Sequence, residues 1–548
     1  MKPSGLVLLA AGLSLCLAYG GEDVDLNVVH RIKAEAFENS KVMETLEVLT
    51  DRYGPRLTAS PEFKEAADWA LKRLTEYGLE NAHLEKWGPF GRSWSLQRFS
   101  VEMIEPRYAR LTAWPQAWSG STNGPVTAEV IYAPIAGRWF ENKKLEASLK
   151  EFEEKYKGQL RGKIVLASEL PDHQTAWESR PLLRRYTDVD LGNLAAAPTP
   201  HLKVPDDLNN VEIPEDPEKR ETLFDTLPDA IFDKLFDKYD ELLTRRNRFL
   251  RDEGAVAVLM DDERAHAGLV FSEEAGSHEA KDPLAPPVFL VTAEQYGRIV
   301  RLLKNKTPVK VQVSLQALAS DQPVDGNNIV AEIPGRGKKD EVVMVGAHFD
   351  SWHSGTGATD NGAGSVVMIE VMRILKALDL KLDRTVRIAL WSGEEQGLYG
   401  SRAYVKEHFG DPKTMKITAA HAKLSGYFNL DNGSGKIRGV YLQGNDAMRP
   451  MFDEWLAPFR DLGVSTISIR DTGGTDHLSF DAVGLPGFQF IQDPLDYMTV
   501  THHSDMDVYD HAVAGDLMQA AAVIASVVYD AANRPQMLPR KPLPKPQQ

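Results

Sequence analysis

Apolar positions recur every three or four residues from Asp25 to about Trp87, among them Ala34, Val42, Leu46, Leu49, Ala67, Trp69, Ala70, Leu71 and Leu74. That period predicts amphipathic helices, followed by strands near 84–87 and 100–104. From about Pro125 to Leu315 the pattern changes to short continuous apolar runs at 126–132, 162–167, 254–260 and 287–291, each read as a buried strand. Inside this β-rich region residues 171–251 are unusually charged and proline-bearing, and an amphipathic helix is predicted over 228–251. From Asn327 to about Ala532 strand-type and helix-type patterns alternate, as in a doubly wound α/β fold with a mostly parallel sheet. The organisation is therefore discontinuous. Residues 21–124 open an α/β domain, 125–320 are inserted, 321–534 complete the core, and 535–548 form a Pro/Lys-rich tail expected to be disordered.

The alternating core ends its apolar runs in chemistry. The run 342–348 closes on His348, and Asp350 follows two residues later, a step that lets its carboxylate accept the second imidazole N–H. Asp360 stands just before an apolar helical run. The run 385–391 leads into Glu394-Glu395, the run 427–430 into Asp431, and 498–501, read as β-like, into His502-His503. Singly, each piece has an ordinary reading: a buried histidine, a helix N-cap, a solvated pair of glutamates, a β-turn. Together they place His, Asp, Glu, Asp and His on successive strand ends, where open α/β sheets collect their ligands. Nitrogen and carboxylate donors of this mix suit Zn²⁺, with Mn²⁺ or Co²⁺ as substitutes. One of the paired glutamates is left over to take a proton from an activated water. Only one of the two adjacent histidines can easily point into the same site.

The segments Gly346-Ala347-His348-Phe349-Asp350-Ser351-Trp352, Gly357-Ala358-Thr359-Asp360-Asn361-Gly362-Ala363-Gly364 and Trp391-Ser392-Gly393-Glu394-Glu395-Gln396-Gly397 resemble the motifs of the M28 metallopeptidases, and within them the carboxypeptidase Q (plasma glutamate carboxypeptidase) branch. The resemblance implies a zinc exopeptidase-like fold with an inserted protease-associated domain over 125–320. It implies two Zn²⁺ ions bridged by Asp360, with His348 and Asp431 completing one site and Glu395 and His503 the other. His503 is preferred to His502 because the family's ligand histidine precedes an aspartate by four residues, which here is Asp507. Glu394 becomes the general base and acid, Asp350 the partner of His348, and Asp360-Asn361 a non-proline cis peptide. Tyr497 and His477 are both candidates for a further oxyanion donor, and Asp476 and His477 for the pocket wall. The implied substrates are small peptides, with aminopeptidase, carboxypeptidase and dipeptidase specificity all open. Related enzymes are often dimers, so a homodimer is the assembly the resemblance suggests.

Composition narrows the class further. A chain of 548 residues with 43% hydrophobic and 26% charged content can bury more than one core. Its formal net charge of −16 argues against a nucleic-acid partner. Lys2, the apolar stretch from Leu6 to Ala18 and the exit Ala18-Tyr19-Gly20 read as a signal peptide over 1–20, implying a secreted or periplasmic protein. That stretch is too short for a membrane span, and no later run reaches the required length. Cys16 lies inside it, so the mature chain is expected to contain no disulfide, and lipid anchoring at Cys16 is disfavoured by Leu15 at a position that wants a small residue. Two other functions share such a core: a glutaminyl cyclase, which lacks the inserted domain, and a non-catalytic binding protein, which loses ligands or the base. Serine hydrolysis has no support, since no Gly-x-Ser-x-Gly elbow occurs.

Overall fold

The computed structural model describes residues 24–170, 183–200, 213–214, 223 and 229–546. The expected signal peptide, Cys16 and parts of 171–251 lie outside them. The predicted opening helices are Leu26–Glu38, Val42–Glu47 and Pro61–Glu76. Asp25 caps the first by accepting from the Asn27 and Val28 amides, and Ser60 caps the third, with proline at the first turn where its missing N–H costs nothing.

Two eight-stranded mixed sheets organise the chain. The first runs, in spatial order, Glu80–Gly91, Val324–Ile333, Arg384–Trp391, Lys338–His348, Leu424–Asn429, Gly487–Gln492, Ile437–Tyr441 and Thr466–Ser468. Its four central strands, from Arg384–Trp391 to Gly487–Gln492, are mutually parallel, so their C-terminal ends meet along one edge. Period-two alternation shows why the sheet is covered on both faces. Val343, Val345 and Ala347 pack into a core with the helices Leu26–Glu38, Ala363–Ala377 and Ala514–Asn533, whereas Met344, Ala389 and Trp391 face Tyr404, Val405 and Phe480 on the other side.

The second sheet orders as Ala109–Arg110, Trp94–Glu105, Lys310–Ala319, Val126–Ile135, Lys163–Ser168, Ala257–Met260, Val288–Val291 and Ala113–Pro115. Helix Ala293–Lys304 packs on one face, and helices Asn142–Tyr156 and Asp229–Asp252 on the other. The boundary expected at residue 125 falls inside this unit, because Trp94–Glu105 pairs with Lys310–Ala319 rather than with the first sheet. A pairing across some two hundred residues leaves no trace in local periodicity. Leu57, Phe90, Trp94, Ala117, Trp118 and Trp352 form an apolar cluster where the two units meet.

The tail also departs from expectation. Leu538 is buried in the main core, Arg540 donates to the carbonyls of His421 and Leu424, and Lys541 pairs with Asp481 at 2.6 Å. Low complexity in a short segment does not exclude docking when one apolar and two cationic side chains find partners. Among the described residues no helix is long and apolar enough to cross a membrane.

Candidate metal centre

His348 ends its strand and points Nε2 to within 3.3 Å of both Asp360 Oδ1 and Asp431 Oδ1. The other oxygen of Asp360 faces His503 Nε2 at 3.3 Å, and Glu395 Oε2 lies 3.0 Å from that same nitrogen. All five predicted ligands thus converge, with Asp360 between two groups. Glu394 Oε2 stands 3.9 Å from His348 Nε2, beside the cluster but outside its closest contacts. His502 is also near, its Nε2 3.8 Å from Asp360 Oδ2 and its ring stacked on that of His503 with centroids 3.7 Å apart. Two potential metal-binding groups follow: His348, Asp360 and Asp431, and Asp360 with His502 and His503.

The hydrogen bonds around the two outer histidines select the same tautomer in each. His348 Nδ1 is 3.0 Å from the Asp350 carbonyl, and His503 Nδ1 is 2.7 Å from Glu273 Oε1. Carbonyls and carboxylates only accept, so each Nδ1 carries a proton, while each Nε2 faces carboxylates and offers its lone pair to the centre once a cation takes the place of a second proton. Here the expected role of Asp350 needs correction. Its backbone carbonyl, not its carboxylate, takes the His348 N–H, and Oδ1 stays 3.7 Å away. The carboxylate instead accepts from Thr58 Oγ1 at 2.8 Å and from the amides of Glu394 and Glu395 at 3.4 and 3.3 Å. It therefore sets the turn that presents the two glutamates.

The expected β-like run before His503 is a helical turn, Tyr497–Thr501. The Asp496 carbonyl accepts from the amides of Thr499 and Val500, and Thr501 Oγ1 meets Thr359 Oγ1 at 2.7 Å. With no partner strand available, β-branched composition does not decide the backbone. His503 consequently arrives on a loop, with φ 63, rather than at a strand end. The Asp360–Asn361 peptide is cis, as the resemblance implied. Of the two oxyanion candidates, His477 turns away, its Nε2–H donating to Thr472 O within its own loop. Tyr497 is buried with its ring 4.9 Å from that of His502. Asp476 is fully buried, and neither of its oxygens finds a hydrogen-bond partner.

Several contributors had no local signal in the sequence. Arg56 is fully buried and donates to the carbonyls of Gly54, Phe349, Thr356 and Gly357, clamping the loop between His348 and Asp360. Asn361 links the Leu430 carbonyl to the Gly364 amide, joining the strand end before Asp431 to the helix after Asp360. Gln489 holds the Asp431 carbonyl at 2.9 Å.

The electrostatics fit a cation-binding centre. Burial pushes the Glu394 carboxyl well above the usual carboxylate range, with His348 opposing and Asp431 and Asp476 adding to the shift. Burial, reinforced by Asp360, raises Glu395 to about 8 and Asp507 to about 7. These acids are too close and too dry to be ionised together without positive charge between them. No hydrogen bond reaches the buried atoms Asp360 Oδ2 and Glu395 Oε1. Oxygens left bare in this way, aimed with two imidazole lone pairs at a shared space, are what bound divalent ions require.

Known proteins point the same way. Residues 328–528, which include all five of the converging residues, match peptidase family M28. The chain is 26% identical to carboxypeptidase Q of Mus musculus over 522 residues, spanning 95% of this chain and 91% of that one. Its fold is shared with a peptidase M28 precursor from Shewanella amazonensis SB2B, with a TM-score of 0.64 at 22% identity over 95% and 98% of the two chains. It is also shared with BSAP, a zinc aminopeptidase from Bacillus subtilis, with a TM-score of 0.53 at 18% identity over 90% and 94%. Ligand set, strand order and family match agree: over residues 328–528 the chain is similar to peptidase family M28, and it is a metallopeptidase.

Proposed function

We propose that this chain is a secreted two-zinc exopeptidase acting on small peptides. His348, Asp360 and Asp431 would hold one ion, and Asp360, Glu395 and His503 the other. The observation that carries the reading is the two-sided placement of Asp360, 3.3 Å from His348 through one oxygen and 3.3 Å from His503 through the other. When bound, the pair of ions supplies Lewis acidity, lowering the pKa of a water and polarising the scissile carbonyl.

The protein's own groups do the rest. Glu394, partly buried beside the cluster, takes the proton of the attacking water and returns it to the leaving amine. Asp350 fixes Glu394 and Glu395 through their amides. Tyr497 is the donor we assign to the developing oxyanion. The second sheet is read as the protease-associated domain, and residues 1–20 as the signal peptide. The names of the relatives, a carboxypeptidase and a zinc aminopeptidase, support both exopeptidase action and zinc.

Elemental analysis of purified protein, with hydrolysis of a panel of dipeptides, aminoacyl amides and an N-terminal glutaminyl peptide, tests the reading against Glu394→Ala. Two metals per chain in both proteins are expected, with kcat in the variant about 10²–10⁴-fold lower. The cleaved members of the panel identify the terminus that is read, and cyclisation of the glutaminyl peptide would favour acyl transfer instead. Metal-free, inactive wild-type protein would return the binding-protein reading to the front.

A further inference from the structure

We propose that Glu273, carried by the second sheet's unit, is a positioning residue for His503, so that one half of the metal centre is completed only across the interface between the two units. This rests on the two-metal reading above. The segment 270–273 lies antiparallel to 503–505 through a bridge between Phe271 and Ser504. Ser272 N donates to the His503 carbonyl at 3.1 Å, Asp505 N donates to Val270 O at 2.9 Å, and Val270 N donates to Asp505 Oδ1 at 2.9 Å. His503 occupies the left-handed region, uncommon for a residue with a Cβ, and these contacts hold its backbone there.

The side chains repeat the arrangement. Glu273 Oε1 accepts from His503 Nδ1 at 2.7 Å and from Arg264 Nη2 at 2.9 Å. Arg264 is itself locked by Asp262, with Nε–Oδ1 at 2.9 Å and Nη2–Oδ2 at 3.0 Å, and its guanidinium lies 4.6 Å from the centre of the Phe271 ring. The guanidinium thus already has a carboxylate partner in Asp262, so charge balance for Arg264 does not by itself explain why Glu273 is aimed at His503. A carboxylate on the distal imidazole nitrogen fixes tautomer and ring orientation and increases the basicity of the nitrogen facing the metal.

The contrast with His348 is informative. Its Nδ1–H is satisfied by the carbonyl of Asp350, two residues away on the same loop. One histidine is preorganised within its own domain, while the other depends on a loop from the neighbouring one.

The test is competitive metal titration of the full chain with a zinc chelator, following each of the two sites in wild type, Glu273→Ala, Glu273→Gln and Glu274→Ala. The expected result is a 10–100-fold loss of affinity at one site in Glu273→Ala, with the other site unchanged. Glu273→Gln, which keeps an acceptor of the same shape without the charge, should fall between Ala and wild type, and Glu274→Ala should match wild type. Because the role is positional, excess zinc should restore kcat in Glu273→Ala. Wild-type affinity at both sites in the Ala and Gln variants would overturn the proposal alone. Absence of tight zinc binding in wild type would overturn it together with the two-metal reading.

Discussion

Asp507 grips the backbone of Asp360 from behind. Its Oδ1 accepts from the amide and hydroxyl of Thr359 at 2.6 and 2.8 Å, and its Oδ2 accepts from the Asp360 amide at 3.1 Å. In the sequence Asp507 serves only to choose between two histidines. In the fold it orients Asp360, the residue that lies between His348 and His503. Substitution Asp507→Ala leaves two buried amides unmatched, since the Thr359 hydroxyl still reaches Thr501, and metal affinity and kcat should both fall about 10–100-fold. Chelator competition and initial rates at fixed free zinc check this, and wild-type values for both would refute the assignment.

Arg56 should matter for stability rather than chemistry. Its guanidinium serves four backbone carbonyls in a site without solvent access, and burial lowers its pKa to about 10 without threatening its charge near neutrality. Arg56→Met is expected to cost about 3–5 kcal/mol, since several buried acceptors lose their donor at once. Arg56→Lys should rescue little, because a single ammonium cannot reproduce the planar fork. Denaturant midpoints at unchanged slope report the difference, and a loss below about 1 kcal/mol in the Met variant would show that the loop relaxes without its clamp.

What the sequence disclosed follows from how each residue is delivered. His348, Glu394, Glu395 and Asp431 come at or just past the ends of continuous apolar runs, and parallel strands necessarily bring such ends to one edge. Periodicity alone therefore places them. His503 comes on a loop after a helical turn, and although the pattern points to the pair His502-His503, the choice between them rests on a motif resemblance. Arg56, Glu273 and Gln489 act through contacts with residues far away in the chain, and a loop arginine or glutamate has no pattern that announces its partner. The same limit hid the membership of Trp94–Glu105 in the second sheet.

Two glycines should respond with opposite sign. A Cβ on Gly364 would sit 2.2 Å from the Leu430 carbonyl and 2.3 Å from Asn361 Oδ1, the link that joins the helix after Asp360 to the strand before Asp431. Gly364→Ala is expected to destabilise by about 1–3 kcal/mol through overpacking and to weaken metal binding as well. Gly192 lies exposed in the helix Asp188–Ala195 with open space around it, so Gly192→Ala should stabilise that helix by roughly 0.5–1 kcal/mol. Parallel denaturation curves decide both, and equal effects of the two changes would contradict the packing described for Gly364.

His353 supplies an acid-sensitive joint between the two units. It is buried, its Nε2–H donates to the Pro115 carbonyl of the second sheet at 2.7 Å, and its Nδ1 finds no partner. Burial lowers its pKa to about 4 against an ordinary value of 6.5, with the Pro115 carbonyl opposing. Above pH 6.5 the ring is neutral in folded and unfolded chains alike, and it contributes no pH dependence. Between 6.5 and 4 the unfolded chain binds the proton first, so stability falls as the pH drops, and below 4 the full difference of roughly 3 kcal/mol has been lost. His353→Gln retains an N–H for Pro115 but cannot titrate, so it should lack this component of the acid sensitivity. Unfolding free energies of metal-free wild type and variant at pH 7 and pH 4.5 isolate the effect from ligand loss at the metal centre. The wild type should lose more stability than the variant over that interval, and an identical loss in the two proteins would rule out His353 as the sensitive group.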